Sequence, residues 1–349
     1  MKRLVTSFSA LFLFLVFGAV YYYTSNPMET DENQVTSAGD GQETEDLIQV
    51  GLIQFISHDS LDAISQGAID ALSDYDYVDE ETISLDLQNG QGDQSNLGSI
   101  STQFVNDEMD LIIAVATPAA QAAANATDQI PIVLAGITDP EAAGLVASNE
   151  QPETNVSGVS DMTPVAEQLE LIRQLHPEAE KLGVIYASSE VNGQIQADLA
   201  EELAADYGFT PVIQTVSSTN DVNQVSQQLA EEVDVMWIPN DNIVASAFPT
   251  VIENASAAGV AVYPAVDIMV AQGGLATIGI NQYQLGYQAG MMAVRVLQDG
   301  TDLSTTPVEQ ASQFDLVINF EQAERLNVDI PDEMVEEAID AASLESGDD

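Results

Sequence analysis

The chain reads as an α/β protein whose parallel sheets form two similar lobes. Strand and helix patterns alternate along most of its length, and the motifs at the strand ends occur twice in the same order. Hydrophobic residues make up 45% of the chain and the acids are scattered rather than blocked, which allows packed cores.

Taken in order, an apolar run at 49–55 is the first strand and leads to a helix over 60–73. Thr82 to Leu87 alternates as a second strand, 96–106 has helical spacing, and 110–116 and 131–137 are buried strands. The pattern continues with a helix from Pro164 to Leu175, strand 182–186, helix 192–206, strand 211–216 and helix 221–230. Strands at 234–238, 260–263 and 276–280, a helix over 284–298 and a late strand at 314–319 complete it.

Duplication is visible in three pairs. Asp110-Leu-Ile-Ile-Ala-Val-Ala-Thr-Pro-Ala-Ala-Gln121 is an apolar strand that runs into an alanine-rich helix, and Asp234-Val-Met-Trp-Ile-Pro-Asn-Asp-Asn-Ile-Val-Ala-Ser-Ala247 repeats the plan. Gln49 to Phe55 answers to Lys181 to Tyr186, and Ile130 to Asp139 answers to Gly259 to Asp267. Ligands of open parallel sheets sit at the carboxyl ends of the strands, so facing lobes would set Thr117, Thr138, Asp139, Asp241 and Asp267 around one cleft.

Against 57 acidic residues stand 6 basic ones, a formal net charge of −51 at pH 7. That balance excludes nucleic acid and anionic membrane surfaces as partners, since both need a basic patch. A dispersed acidic surface with almost no lysine suggests a halophilic setting, where salt screens the self-repulsion; a generally acidic extracellular protein is the alternative. Cysteine is absent, which removes disulfides, a thiol nucleophile and a lipid-modified cysteine.

Residues 1–23 carry a basic start, an apolar stretch and a tyrosine belt, the pattern of an export signal or an uncleaved membrane anchor. Residues 24–46 are an acidic, apolar-poor tether. The first lobe is expected over 47–160 with about 281–305, and the second over 161–280 with about 306–340.

Val50-Gly-Leu-Ile-Gln-Phe-Ile-Ser-His-Asp-Ser-Leu-Asp62, Thr117-Pro-Ala-Ala-Gln121, Val156-Ser-Gly-Val-Ser-Asp161, Ser188-Ser-Glu-Val-Asn192, Asn240-Asp-Asn242 and Gly273-Gly-Leu-Ala-Thr277 resemble the signatures of the tryptophan-type ABC transporter substrate-binding proteins. The resemblance spans residues 47 to 340 in unbroken motif order. It implies a type I periplasmic-binding-protein fold, with two Rossmann-like lobes, a three-strand hinge and an aromatic amino acid clamped between them. Two departures stand out: Asp59-Ser60 follows His58 where the family has Pro-Ala, and the lipid-attachment cysteine is missing.

A zwitterion also fits the residues themselves. Outside the export segment the basic residues are Arg173, Lys181, Arg295 and Arg325, and the arginines lie away from strand tips. A ligand carboxylate would then be met by Thr117, the N–H groups of Ala119 and Ala120, and Ser189, and the ammonium by Glu190, Asp241 or Asp267. Phe55, Tyr186 and Trp237 are stacking candidates that could equally be core residues. Asp139 and Asp161 could be pocket groups or helix caps. His58 could line the pocket rim or stabilise its turn, and His176 is a helix cap. Gln54, Thr138 and Asn192 complete the expected ligand-binding set.

No nucleophile elbow, phosphate loop or His-Glu-x-x-His helix is present, so no enzyme, cofactor or metal is expected. Acidic clusters such as Asp79-Glu-Glu81 read as solvated surface. The expected function is an extracytoplasmic, membrane-tethered monomer that binds a small amino acid for an ABC permease and its ATPase. A ligand-sensing receptor domain for a membrane signalling partner is the alternative.

Overall fold

In the computed structural model, residues 47–311 and 313–344 are described. The export segment and tether expected over 1–46 lie outside them. Among the described residues, no helix is long and apolar enough to cross a membrane.

The first half of the chain winds through β1 (Ile48–Gln54), α1 (Asp59–Asp74), β2 (Ile83–Asn89), α2 (Gln94–Asn106), β3 (Leu111–Val115), α3 (Thr117–Ala126), β4 (Ile132–Ala135) and β5 (Val156–Ser160). Every residue of β3 and β4 is buried, as expected for parallel strands covered on both faces. The second half continues with α4 (Val165–Leu175), β6 (Lys181–Ala187), α5 (Val191–Ala204), β7 (Thr210–Val216), α6 (Thr219–Ala230), β8 (Val235–Ile238), α7 (Asn242–Ser246), α8 (Phe248–Ala258) and β9 (Ala261–Pro264). After α9 (Ile268–Ala271) come β10 (Ala276–Gly279), α10 (Gln282–Asp299), β11 (Glu309–Gln310), β12 (Asp315–Ile318), α11 (Phe320–Leu326), α12 (Asp332–Glu337), β13 (Ile339–Asp340) and α13 (Ala341–Leu344).

Three sheets result, with strand orders β11-β5-β4-β3-β1-β2, β7-β6-β8-β9 and β10-β12-β13. All pairings are parallel except β10 with β12. The six-stranded sheet with its helices makes one body, and the four-stranded sheet makes another. α10 returns to the first body and lies against α1 so closely that a Cβ on Gly286 would fall 2.0 Å from the Ile64 carbonyl oxygen.

The helices at 248–258, 268–271, 320–326 and 332–337 and the strand at 339–340 are additions to the expected elements, and two further differences concern the first sheet. β5 was not among the expected strands: Val156-Ser-Gly-Val-Ser lacks an apolar run, yet all five residues are buried between β4 and β11. The stretch 306–310, expected with the second lobe, joins the first sheet, where β11 pairs with β5 and the Ser157 hydroxyl donates to the Thr306 carbonyl at 2.7 Å. A two-residue strand is too short to show a periodicity.

Candidate functional site: a cavity between the two bodies

Strand ends of both bodies converge on a cavity of about 390 Å³ of empty volume, part of it open to solvent. The first body supplies His58, Ser60 and Leu61 from the start of α1, Thr117 from the start of α3, and Gly136 and Thr138 after β4. The second supplies Asn192 from α5, Asn240, Asp241, Asn242 and Ala245 around α7, and Val266 and Met269 after β9. Asp161 and Gln282 line it where the chain crosses between the bodies.

Local geometry explains several placements. Ala116 turns from β3 into α3 with φ 74° and ψ 153°, a region used almost only by glycine, which sets Thr117 at the helix start beside the cavity. Pro118 has no N–H, and the Ala120 N–H donates to the Ala116 carbonyl at 3.1 Å. The N–H groups of Thr117 and Ala119 have no acceptor among the described residues, as is usual in a first helical turn. Gly136, at φ 74°, leaves room: a Cβ there would come within 2.9 Å of Ile64 and 3.5 Å of the Asp161 carboxylate.

The cavity is rich in buried carboxyls. Asp241 Oδ2 accepts the Ala187 N–H at 2.7 Å and Oδ1 the Val244 N–H at 2.8 Å. Burial, and then the charge of Glu190, hold its carboxyl well above the usual carboxylate range. Asp161 accepts the Thr138 hydroxyl at 2.9 Å, and burial lifts its pKa to about 6. None of Arg173, Lys181, Arg295 and Arg325 lines the cavity. The Arg173 guanidinium is occupied by the carbonyls of Tyr207, His176, Pro177, Ala179 and Gly208 and lies 4.0 Å over the Phe209 ring.

Of the residues expected from sequence, the structure brings His58, Thr117, Thr138, Asp161, Asn192 and Asp241 together around the cavity. Ala119 is buried and does not line the cavity, though its N–H stays unbonded in the first turn of α3, and the rest stand elsewhere. Gln54 is a strut between β1 and α1, donating to Asp62 at 2.6 Å and accepting from Ser65 at 2.6 Å. Phe55 is core, and Trp237 is fully buried with its indole N–H donating to Gln168 at 2.9 Å. Tyr186 packs beside the second core, so no Phe, Tyr or Trp lines the cavity. Ala120 cannot offer the N–H expected of it, because that group is already bonded inside its own turn. Ser189 is exposed, away from the cavity.

The remaining acids brace backbone. Glu190 is buried behind the cavity wall and receives four N–H bonds, from Asn192, Asn242 and Ile243. Asp267 caps α9, accepting the Ile268 N–H at 2.7 Å, while its neighbours Val266 and Met269 face the cavity. Asp139 caps the turn at Glu141 and Ala142. Sequence reasoning did not assign Ser60, Leu61, Gly136, Asn240, Asn242, Ala245, Val266, Met269 or Gln282. Asn240 and Asn242 had a signal, flanking Asp241 in the repeated strand-end motif, and so did Ser60 and Leu61, which lie in the quoted segment Val50 to Asp62.

Cross-cleft contacts hold the bodies together at this site. Gln272 donates to the Asp59 carboxylate at 2.6 Å, and His58 Nε2 lies 3.4 Å from Asn242 Oδ1.

Comparison with known proteins agrees with the α/β fold in two bodies. The sequence profile of a family described as ABC transporter substrate binding protein matches residues 49–342. A tyrosine-binding protein of Clostridioides difficile is 39% identical over 279 residues, covering 80% of this chain and 81% of that protein. A solved ABC domain in complex with L-Trp from Streptococcus pneumoniae is 39% identical, covers 84% of this chain and 99% of its own, and superposes with a TM-score of 0.82. The ligand-free, open structure of a substrate-binding protein with adhesive properties from Clostridium difficile, also 39% identical with the same coverage, gives 0.65. These relatives are solute-binding proteins, not enzymes. With its profile matched over nearly all the described residues and relatives at this identity across 80% or more of its length, the chain belongs to the ABC transporter substrate-binding proteins.

Proposed function

We propose that the protein captures an aromatic amino acid (tryptophan, phenylalanine or tyrosine) by closing two lobes around it, and presents it to an ABC permease and its ATPase outside the cytoplasm. The observation that carries this reading is the cavity itself: carboxyls and amides on one side, a helix N-terminus on the other, and no arginine or lysine in the wall. An ammonium suits Asp241 and Asp161, whose burial without a cation holds them protonated more readily than in water. A carboxylate suits the Thr117 hydroxyl and the N–H groups of Thr117 and Ala119. Leu61, Ala245, Val266 and Met269 supply an apolar wall for the side chain, with the methionine adaptable in shape.

Closure is supported by the comparison at equal identity: this chain superposes better on the L-Trp complex than on the ligand-free, open structure. The ligand would bind the closed arrangement better and shift the population towards it. In this reading the lobes are residues 47–160 with 281–310, and 161–280 with 315–340, joined by three crossings. Residues 1–23 would tether a monomer to the outer face of the cell membrane, through the acidic segment 24–46.

The test is calorimetric titration in molar salt with tryptophan, phenylalanine, tyrosine and leucine. Saturable one-site binding of an aromatic amino acid, with leucine silent, is the expected result. Silence for all four would remove aromatic amino acids as the ligand.

A further inference from the structure

Glu190 was expected to touch the ligand, but its surroundings give it other work. It is 2% exposed, has no cationic partner, and accepts the Ile243 N–H at 2.8 Å through Oε1. Its Oε2 accepts the Asn242 backbone N–H at 3.3 Å, Asn242 Nδ2 at 2.5 Å and Asn192 Nδ2 at 3.2 Å. Burial raises this carboxyl, and the N–H donors around it oppose the rise.

A carboxylate only accepts, so it dictates which way each amide faces. Asn192 Nδ2 is turned to Glu190 and to the Asn240 carbonyl at 2.7 Å, so its Oδ1 points away from both. That oxygen is buried and has no donor among the described residues, in a residue that lines the cavity. Asn242 Nδ2 is likewise held, which leaves Asn242 Oδ1 to meet His58 Nε2 across the cleft. An amide oxygen needs a donor, so the imidazole carries its proton on Nε2. Burial pushes His58 down to about 4, which keeps it neutral in neutral solution. Asp59 and Asp62 face it from its own helix, and from the opposite body Asn242 faces it with Glu190 behind.

We propose that Glu190 is a positioning residue that aims two amide oxygens, that of Asn192 at a donor group of the ligand and that of Asn242 at His58 across the cleft. Ligand capture and lobe closure then draw on one buried carboxylate. The proposal rests on the amino-acid-binding reading for its first arm, whereas the second arm concerns the protein alone.

The test uses the full chain, Glu190→Leu, and two readouts: calorimetric affinity for L-tyrosine and L-tryptophan, and ¹⁵N NMR of the His58 ring, one of two histidines in the chain. Leucine removes the acceptor from all four N–H groups, so Asn242 Nδ2 is released and the amide turns over to present it to His58. The His58 tautomer is then expected to move from Nε2–H to Nδ1–H, and affinity to fall by about 10- to 100-fold, as for loss of hydrogen bonds to a charged group. An unchanged tautomer and affinity in a folded variant would overturn the proposal. Should the variant not fold, the wild-type spectrum decides: His58 as Nε2–H in the closed protein supports the second arm, and Nδ1–H overturns it. Absence of any amino-acid binding by the wild type would count against the functional reading and the first arm, and leave the tautomer result to decide the second.

Discussion

Asp267 shows what a buried carboxyl does when no cation answers it. It is 7% exposed, and burial raises its pKa from 3.8 to about 7. The folded protein therefore keeps a proton that the unfolded chain releases between about pH 4 and pH 7, so the contribution of this group favours folding in acid and is lost as the pH rises through 7. Asp267→Asn copies the protonated form and can still accept the Ile268 N–H. It is expected to raise the melting temperature at pH 8 and leave it unchanged at pH 4; an equal shift at both values would show that the native carboxyl holds no proton. At the cavity the prediction concerns ligand rather than fold. Thr117→Val and Asp241→Asn are each expected to weaken binding of the aromatic amino acid by about 1.5–3 kcal/mol, the range for hydrogen bonds to charged groups. Wild-type affinity in calorimetry of both variants would take these residues out of the site.

The start of α1 and the end of α9 meet across the cleft through Asp59 and Gln272. Neither residue lines the cavity, so under the proposed closing motion this contact would act on the equilibrium between open and closed forms and not on the ligand itself. Gln272→Ala is expected to lower apparent affinity by about 2- to 10-fold, the net worth of one hydrogen bond, and to enlarge the radius of gyration in small-angle scattering at subsaturating ligand. An unaltered affinity would mean the contact follows closure without favouring it. Elements of this kind separate what the sequence discloses from what it conceals. The apolar runs of β3 and β8 are buried along their whole length and stand out at once, and so do Thr117 and Asp241 at their tips. β5 hides because small residues are what its place demands: a Cβ on Gly158 would lie 2.3 Å from the Leu134 carbonyl oxygen. Val266, Met269 and Gln282 reach the cavity through tertiary packing, which leaves no local pattern. Glu190 sits just beyond a strand, as Asp241 does, but adjacent positions there face different ways, and only the surrounding N–H groups show which way it points.

For the whole molecule the governing quantity is charge. With 57 acids and 6 bases, attraction between side chains can do little: among the described residues one ion pair forms, Arg295 with Glu309 at 2.5 Å, both partly exposed. Arg173 spends its donors on backbone carbonyls. The exposed carboxylates therefore repel one another without a compensating network, and the compact state, which holds them closest, bears most of that repulsion. Screening shortens the reach of each charge from about 10 Å at 0.1 M salt to about 3 Å at 1 M. The melting temperature of the ligand-free protein is thus expected to climb steeply with potassium chloride over that range and to flatten beyond it. Sucrose at matched osmolality separates this from general exclusion of solute from the surface, which would stabilise without screening. A rise with chloride that sucrose does not reproduce identifies self-repulsion as the cause and supports the halophilic reading of the composition. A melting temperature that ignores salt would mean that the acids are spaced widely enough not to feel one another, and that reading would fall.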